Sequence, residues 1–208
     1  MPADPCCRPF SLGGERYRGR RLLKVVLRIS DMASDYHIRI STQAQTLTLM
    51  RLAPESLEGG LRWAPDAAGT VMMQTLISSS KNGTGQQQGS YQTPQGRHQI
   101  RAKIGGGAAW NTVFVGRRKT GEIWCPELAG QFPQRDWILT RILWLSGLEP
   151  GKNRFGEVDT MRRYIYLHGS PDTAVMGEPG SIGCIRMKNS DIVSLFDWVP
   201  VGTTVDIT

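Results

Sequence analysis

The sequence predicts a mainly β domain closed by one C-terminal helix. Three observations lead there: short apolar runs alternate with polar residues at period two, Gly (24) and Pro (12) recur between them, and only one stretch carries a helical stripe.

The elements follow in chain order. Residues 1–31 are rich in Arg and Pro and lack sustained periodicity, so they read as a basic tail preceding a domain over 32–208, with Met32 an alternative start. Tyr36, Ile38 and Ile40 alternate with His37, Arg39 and Ser41, and Thr46 to Leu49 follow a short polar break, which predicts a hairpin with His37 on its polar face. Val71 to Ile77 is a further apolar run, and the Ser-, Asn-, Gly- and Gln-rich segment 78–89 predicts a flexible surface loop. His98, Ile100, Ala102 and Ile104 share one face of a strand, where a hydrogen-bonded core histidine is the expected role of His98. Thr112 to Val115 and Glu122 to Trp124 pair through a turn at Thr120 and Gly121. Trp137 to Leu145 fits both strand and helix templates and is assigned as strand; Trp137 and Trp144 are core residues or cleft walls. In Arg163 to His168, Tyr164, Tyr166 and His168 point one way and Ile165 and Leu167 the other, which puts His168 at a strand's end. Asn189 is the expected N-cap of the helix, whose stripe is Ile192, Leu195, Phe196 and Val199; Pro200 and Gly202 end it, and Thr204 to Ile207 form the last strand.

Composition excludes several classes. The net charge of +7 divides into +4 for residues 1–31 and +3 for the rest, so the body is only mildly basic, and no aromatic-basic interleaving supports nucleic-acid binding. No run approaches the roughly 20 apolar residues of a membrane span. Leu22 to Ile29 is interrupted by Lys24 and Arg28 and lacks a cleavage site, so a cytoplasmic location is expected, with a periplasmic one following only from another start or export route. Cys6, Cys7, Cys125 and Cys184 show no zinc spacing; Cys6 and Cys7 are incidental, and Cys125 is structural. No metal or cofactor is expected. Gly105 to Gly107 lacks the spacing of a nucleotide-binding loop.

The chemistry concentrates between Tyr164 and Met187. His168 is followed after a Gly-rich loop by Cys184, and a loop of that kind lets the chain return and bring thiol and imidazole together. The imidazole would take the thiol proton and make a nucleophile. Backbone N–H groups around Ile182, Gly183 and Cys184 suit an oxyanion, and Arg186 suits a substrate carboxylate, support of the thiolate, or a structural role fixing the loop.

His168-Gly169-Ser170 and Ser181-Ile182-Gly183-Cys184-Ile185-Arg186-Met187 resemble the signature of the L,D-transpeptidase catalytic domain, often called the YkuD-type domain. Thr93 to Gly96, Thr140 to Leu145 and Gly151 to Thr160 resemble the family's segments in the same order, and the likeness extends over roughly residues 36 to 207. The resemblance implies two curved mixed sheets, a nucleophile at Cys184, a base at His168 and a carbonyl at Gly169 that orients it. Ser170 has a supporting role, and Ser181, Tyr166 and Arg141 join Arg186 as candidate substrate contacts. It also implies a substrate: peptidoglycan stem peptides, cleaved between the third residue, meso-diaminopimelate, and D-alanine through a thioester. Water as acceptor gives an L,D-carboxypeptidase acting on recycled fragments; an amine gives a 3→3 cross-link. Ile182 departs from the family, in which many members carry histidine there. A catalytically silent module binding wall fragments is the alternative, and the retained thiol and imidazole speak against it.

Overall fold

The computed structural model describes residues 35–53 and 69–208; the tail 1–31 with Cys6 and Cys7, the apolar run Leu22 to Ile29, and Met32 lie outside them. The described chain forms ten strands and two α-helices. These are β1 (Tyr36–Ser41), β2 (Thr46–Leu52), β3 (Gly69–Leu76), β4 (Gly96–Ile104), β5 (Thr112–Val115), β6 (Arg118–Ile123), α1 (Pro126–Gln131), β7 (Ile138–Gly147), β8 (Tyr166–Ser170), β9 (Ile185–Lys188), α2 (Asn189–Trp198) and β10 (Thr204–Ile207).

The period-two pattern of β1 and β2 works as a cross-strand register: Ile38 lies opposite Leu49 and Ile40 opposite Leu47, all four buried. β10 inserts between β1, to which it is parallel, and β4, to which it is antiparallel. β4 then pairs with β7. At Ile142, β7 has Ile104 on one side and His168 on the other, and at Leu139 it has Val113 and Gly169. β4 and β5 therefore share one edge of β7, and β8 takes the other. β9 runs parallel to β8. Beyond β3, the Ser78 N–H donates to the Arg186 carbonyl and the Arg186 N–H to the Ser78 carbonyl, at 3.0 and 2.9 Å, so the chain leaving β3 meets β9. The two curved sheets expected from the family are thus parts of one curled hydrogen-bonded network, with β7 as the shared strand.

The larger core joins Ile38, Ile40, Leu47, Leu49, Ile100, Leu143, Leu145, Leu167, Ile185, Met187, Val205 and Ile207 to the helix stripe Ile192, Leu195, Phe196 and Val199. Each fully buried Leu or Ile stabilises by about 1.5–3 kcal/mol. A second cluster on the opposite face of β7 and β8 contains Ala108, Phe114, Ile142 and Tyr166, with Trp144 and Cys184 packed on it. Because β8 lies between the two clusters, all five of its residues are buried.

Several expectations are corrected by the packing. Tyr164 has φ +58° and lies in a turn, so β8 begins at Tyr166 and His168 occupies its middle, not its end. The β5–β6 turn is at Gly116 and Arg117, both at positive φ (54° and 68°) as a tight hairpin turn requires, not at Thr120 and Gly121. The start of the expected flexible loop is fixed: Ser78, Ser79 and Ser80 are buried and bonded. His37 is buried rather than on a polar face, because β10 runs alongside it and its Nδ1 meets Thr204 Oγ1 at 2.7 Å. Asn189 is the first residue of α2 instead of its cap; its side chain turns inward, accepting from Thr140 Oγ1 and donating to Asn111 Oδ1, both at 2.7 Å. The short helix α1, introduced by Pro126, lies where no element was expected.

Candidate active site

Register places the two central side chains. In the parallel pair β8–β9, Leu167 faces Ile185 and His168 faces Arg186. Leu167, Ile185 and Met187 point into the larger core, so alternation turns Tyr166, His168, Cys184 and Arg186 to the other face. Cys184 stands one position before the ladder, level with Tyr166 and diagonal to His168. The two side chains thus share one face of the β8–β9 pair, two positions apart in register.

His168 is fully buried, and its Nδ1 lies 2.8 Å from the Gly169 carbonyl oxygen. A carbonyl only accepts, so Nδ1 carries the proton and Nε2 keeps its lone pair. That Nε2 is buried with no partner. Burial is the main cause that lowers the His168 pKa; the negative charge of Asp136 and the Gly169 carbonyl oppose it, and Arg186 adds to it. The resting imidazole is neutral. Gly169 permits this arrangement, since a Cβ there would stand 2.7 Å from the Leu139 carbonyl oxygen and closer still to Asn189 Oδ1.

The Cys184 thiol donates to the Tyr164 carbonyl at 3.4 Å. Burial pushes its pKa up to about 12; the Tyr166 backbone N–H opposes that, Asp136 adds to it, and Arg186 and Arg163 oppose it. The pair therefore rests as neutral thiol and neutral imidazole.

The turn before Cys184 is braced from several sides. Gly183 has φ +129°, a conformation that favours glycine. Thr93 Oγ1 donates to its carbonyl at 3.0 Å, and Ser181 N–H donates to Ser79 O at 2.9 Å. Ser181 Oγ donates to the Cys184 carbonyl and accepts from the Gly183 N–H at 3.2 Å. Ser181 thus acts as an internal strut of this turn, and the Gly183 N–H expected to face an oxyanion is turned to that hydroxyl. Ile182 is exposed.

The other expected residues take these positions. Ser170 is buried two residues beyond His168 on the same face, and its Oγ has no partner. Arg186 donates to Asp136 at 2.6 Å and to the Gly180 carbonyl at 3.0 Å, contacts that fix the loop before Cys184. Arg141 donates to the Ala108 and Thr140 carbonyls and lies over the Phe196 ring, so it supports the loop after β4. Tyr166 is buried with its hydroxyl accepting from Arg117 at 2.9 Å. His98 is a satisfied core histidine, bonded to Gly96 O and Thr160 Oγ1. Cys125 is buried at the start of α1, and Trp137 is buried with Val113, Trp124 and Leu139.

Asp136, Arg163 and Arg117 were not singled out in the sequence. Asp136 precedes β7 and pairs with Arg186; Arg163 ties the 85–92 loop to the site through the Gly85 and Gln92 carbonyls. Trp144 and Tyr164 border a cavity of about 500 Å³ whose other walls include Phe155, Asp159 and Arg162. Among the described residues, no three His, Cys, Asp or Glu side chains gather as metal ligands, and no helix is long and apolar enough to cross a membrane.

Known proteins bear on this arrangement. A 45-residue stretch is 49% identical to the probable L,D-transpeptidase ErfK/SrfK of Salmonella typhimurium, covering 22% of this chain and 15% of that protein. A 54-residue stretch is 43% identical to the putative L,D-transpeptidase YqjB of Bacillus subtilis, covering 26% and 31%. The chain thus spans less than a third of the length of either curated relative. The solved structure of Bdellovibrio bacteriovorus Bd1075 superposes with a TM-score of 0.49 at 13% identity, over 84% of this chain and 48% of that one. The model of the YkuD family, the L,D-transpeptidase catalytic domain, matches residues 35–207, and by that match the chain belongs to this family.

Proposed function

We propose that this protein is a cysteine acyltransferase acting on peptidoglycan stem tetrapeptides. The observation that carries the proposal is the buried, partnerless Nε2 of His168, diagonal to Cys184 on the same face of the β8–β9 pair. Nε2 takes the thiol proton as Sγ attacks the carbonyl carbon of the third residue. The tetrahedral intermediate collapses, the amide bond breaks, and the imidazolium returns its proton to the leaving D-alanine nitrogen. A thioester on Cys184 remains. Water or an amine, deprotonated by the same nitrogen, attacks that thioester and restores the thiol.

The test is mass spectrometry of the protein incubated with a disaccharide tetrapeptide and with the free tetrapeptide, with Cys184→Ala as control. Tripeptide alone identifies an L,D-carboxypeptidase, and 3→3 linked dimers identify an L,D-transpeptidase. Substrates bound but returned intact by the wild-type chain would replace this proposal with a binding module. A cytoplasmic location, where soluble fragments and water are the available partners, belongs to the same proposal, and fractionation of cells expressing the full gene tests it.

A further inference from the structure

The hairpin β5–β6 delivers a cation to the edge of the site. Arg117, at its turn with φ +68°, lays its guanidinium 4.6 Å from the ring centroids of both Trp144 and Tyr164. Its Nη1 donates to the Tyr166 hydroxyl at 2.9 Å. Trp144 in turn packs edge-on against Tyr166, with ring centroids 5.9 Å apart. The aromatic platform thus fixes the orientation of the fork, and stacking on ring faces holds an arginine without neutralising it.

Two features mark Arg117 off from the other arginines around the nucleophile. Arg186 is paired with Asp136, and Arg163 is spent on the Gly85 and Gln92 carbonyls. Arg117 forms no ion pair among the described residues, and its Nε and Nη2 meet no protein acceptor. Its platform also touches the reaction centre: the Tyr164 carbonyl accepts the Cys184 thiol, and Cys184 packs on the cluster that contains Tyr166. Trp144 and Tyr164 continue into the walls of the 500 Å³ cavity, so the charge stands where an apolar chain ending in an anion could lie.

We infer that Arg117 is a specificity-determining residue that anchors a carboxylate of the substrate peptide, with the adjoining aliphatic portion lying on Trp144 and Tyr164. This rests on Cys184 being the nucleophile toward a stem peptide. Two carboxylates lie close to the scissile bond in such a peptide: the C-terminal one of the leaving D-residue and the one ending the side chain of the third residue. Both present the planar pair of oxygens that a guanidinium fork matches.

Steady-state kinetics on three tetrapeptides test this: the parent, its C-terminal amide, and the amide of the third residue's side-chain carboxylate, each with wild type, Arg117→Ala and Arg117→Lys. Arg117→Ala is expected to raise KM for the parent about 10- to 100-fold, with the loss in KM rather than kcat. One of the two amides raises the wild-type KM by a similar factor, Arg117→Ala adds nothing on that amide, and its identity names the anchored carboxylate. Arg117→Lys restores part of the affinity for the parent. An Arg117→Ala penalty that is the same on all three peptides, or absent on the parent, overturns the inference and leaves Arg117 a structural brace. Wild type that cleaves none of the three overturns the acyltransferase proposal itself, and the inference with it.

Discussion

The proton on His168 Nδ1 is held by the carbonyl of the very next residue, Gly169, at 2.8 Å, and this leaves Nε2 buried and bare. A base whose tautomer is set by the main chain does not need a carboxylate behind it. Replacing His168 by Gln keeps a planar polar side chain but loses the base. We expect kcat for D-alanine release to fall by about 10²–10⁴, with protein folding retained, as measured by product formation alongside circular dichroism.

Gly169→Ala is expected to damage the site and the fold together. The added methyl would meet the Leu139 carbonyl oxygen and Asn189 Oδ1, neither of which can withdraw, since both belong to the paired β7 edge and the Thr140–Asn189–Asn111 chain of hydrogen bonds. Overpacking of this kind costs about 1–3 kcal/mol. Urea unfolding measures the loss, and an unchanged midpoint would mean that Asn189 moves freely.

Asp136 raises the pKa of Cys184 and of His168 by its charge. Asp136→Asn removes that charge and releases Arg186, whose own charge favours thiolate. Both changes act in one direction, so the thiol pKa falls. Alkylation of Cys184 by iodoacetamide at pH 8 should be faster in Asp136→Asn than in wild type; a slower reaction would show that the ion pair matters through position instead.

Stability should depend on pH on both sides of neutrality. Burial lowers His37 and His98 from 6.5 to about 4 and lowers His168 as well. The unfolded chain therefore binds more protons than the folded one between pH 6.5 and 4. Stability is complete above 6.5 and falls as the pH drops through that window, by about 3 kcal/mol each for His37 and His98. Cys184 has the opposite sign: its pKa rises from 9.0 to about 12, so its contribution is full below 9 and declines above it. Thermal melts from pH 4 to 10 should show a plateau between the two limbs, and His37→Asn should flatten the acid limb by about one proton.

Much of this was legible in the chain because it is local. Alternation in Tyr36 to Ile40 and the stripe from Ile192 to Val199 specify their elements through nearest neighbours, and the Gly-rich return from His168 to Cys184 makes their approach geometrically available. The remainder depends on distant partners. Ser78 to Ser80 have the composition of a solvated loop and are buried only because β9 and the Ser181 turn lie against them. Asn189 has the chemistry of a helix cap, but Thr140 and Asn111 arrive from 49 and 78 residues away to claim it. Arg117 is one of many arginines until the fold lays it on Trp144 and Tyr164.

The double exchange of hydrogen bonds between Ser78 and Arg186 also bears on the order in which the chain acquires activity. Among the described strands β9 comes late in the chain, and the cysteine beside it is held by residues that emerged long before. A nascent or partly folded chain therefore carries Cys184 with the ordinary thiol pKa, below the raised one it has in the fold, and without His168 fixed on the same face. The surroundings of Cys184 are complete only once the chain leaving β3 has met β9, so the shift of its thiol pKa away from the ordinary value marks that step of folding.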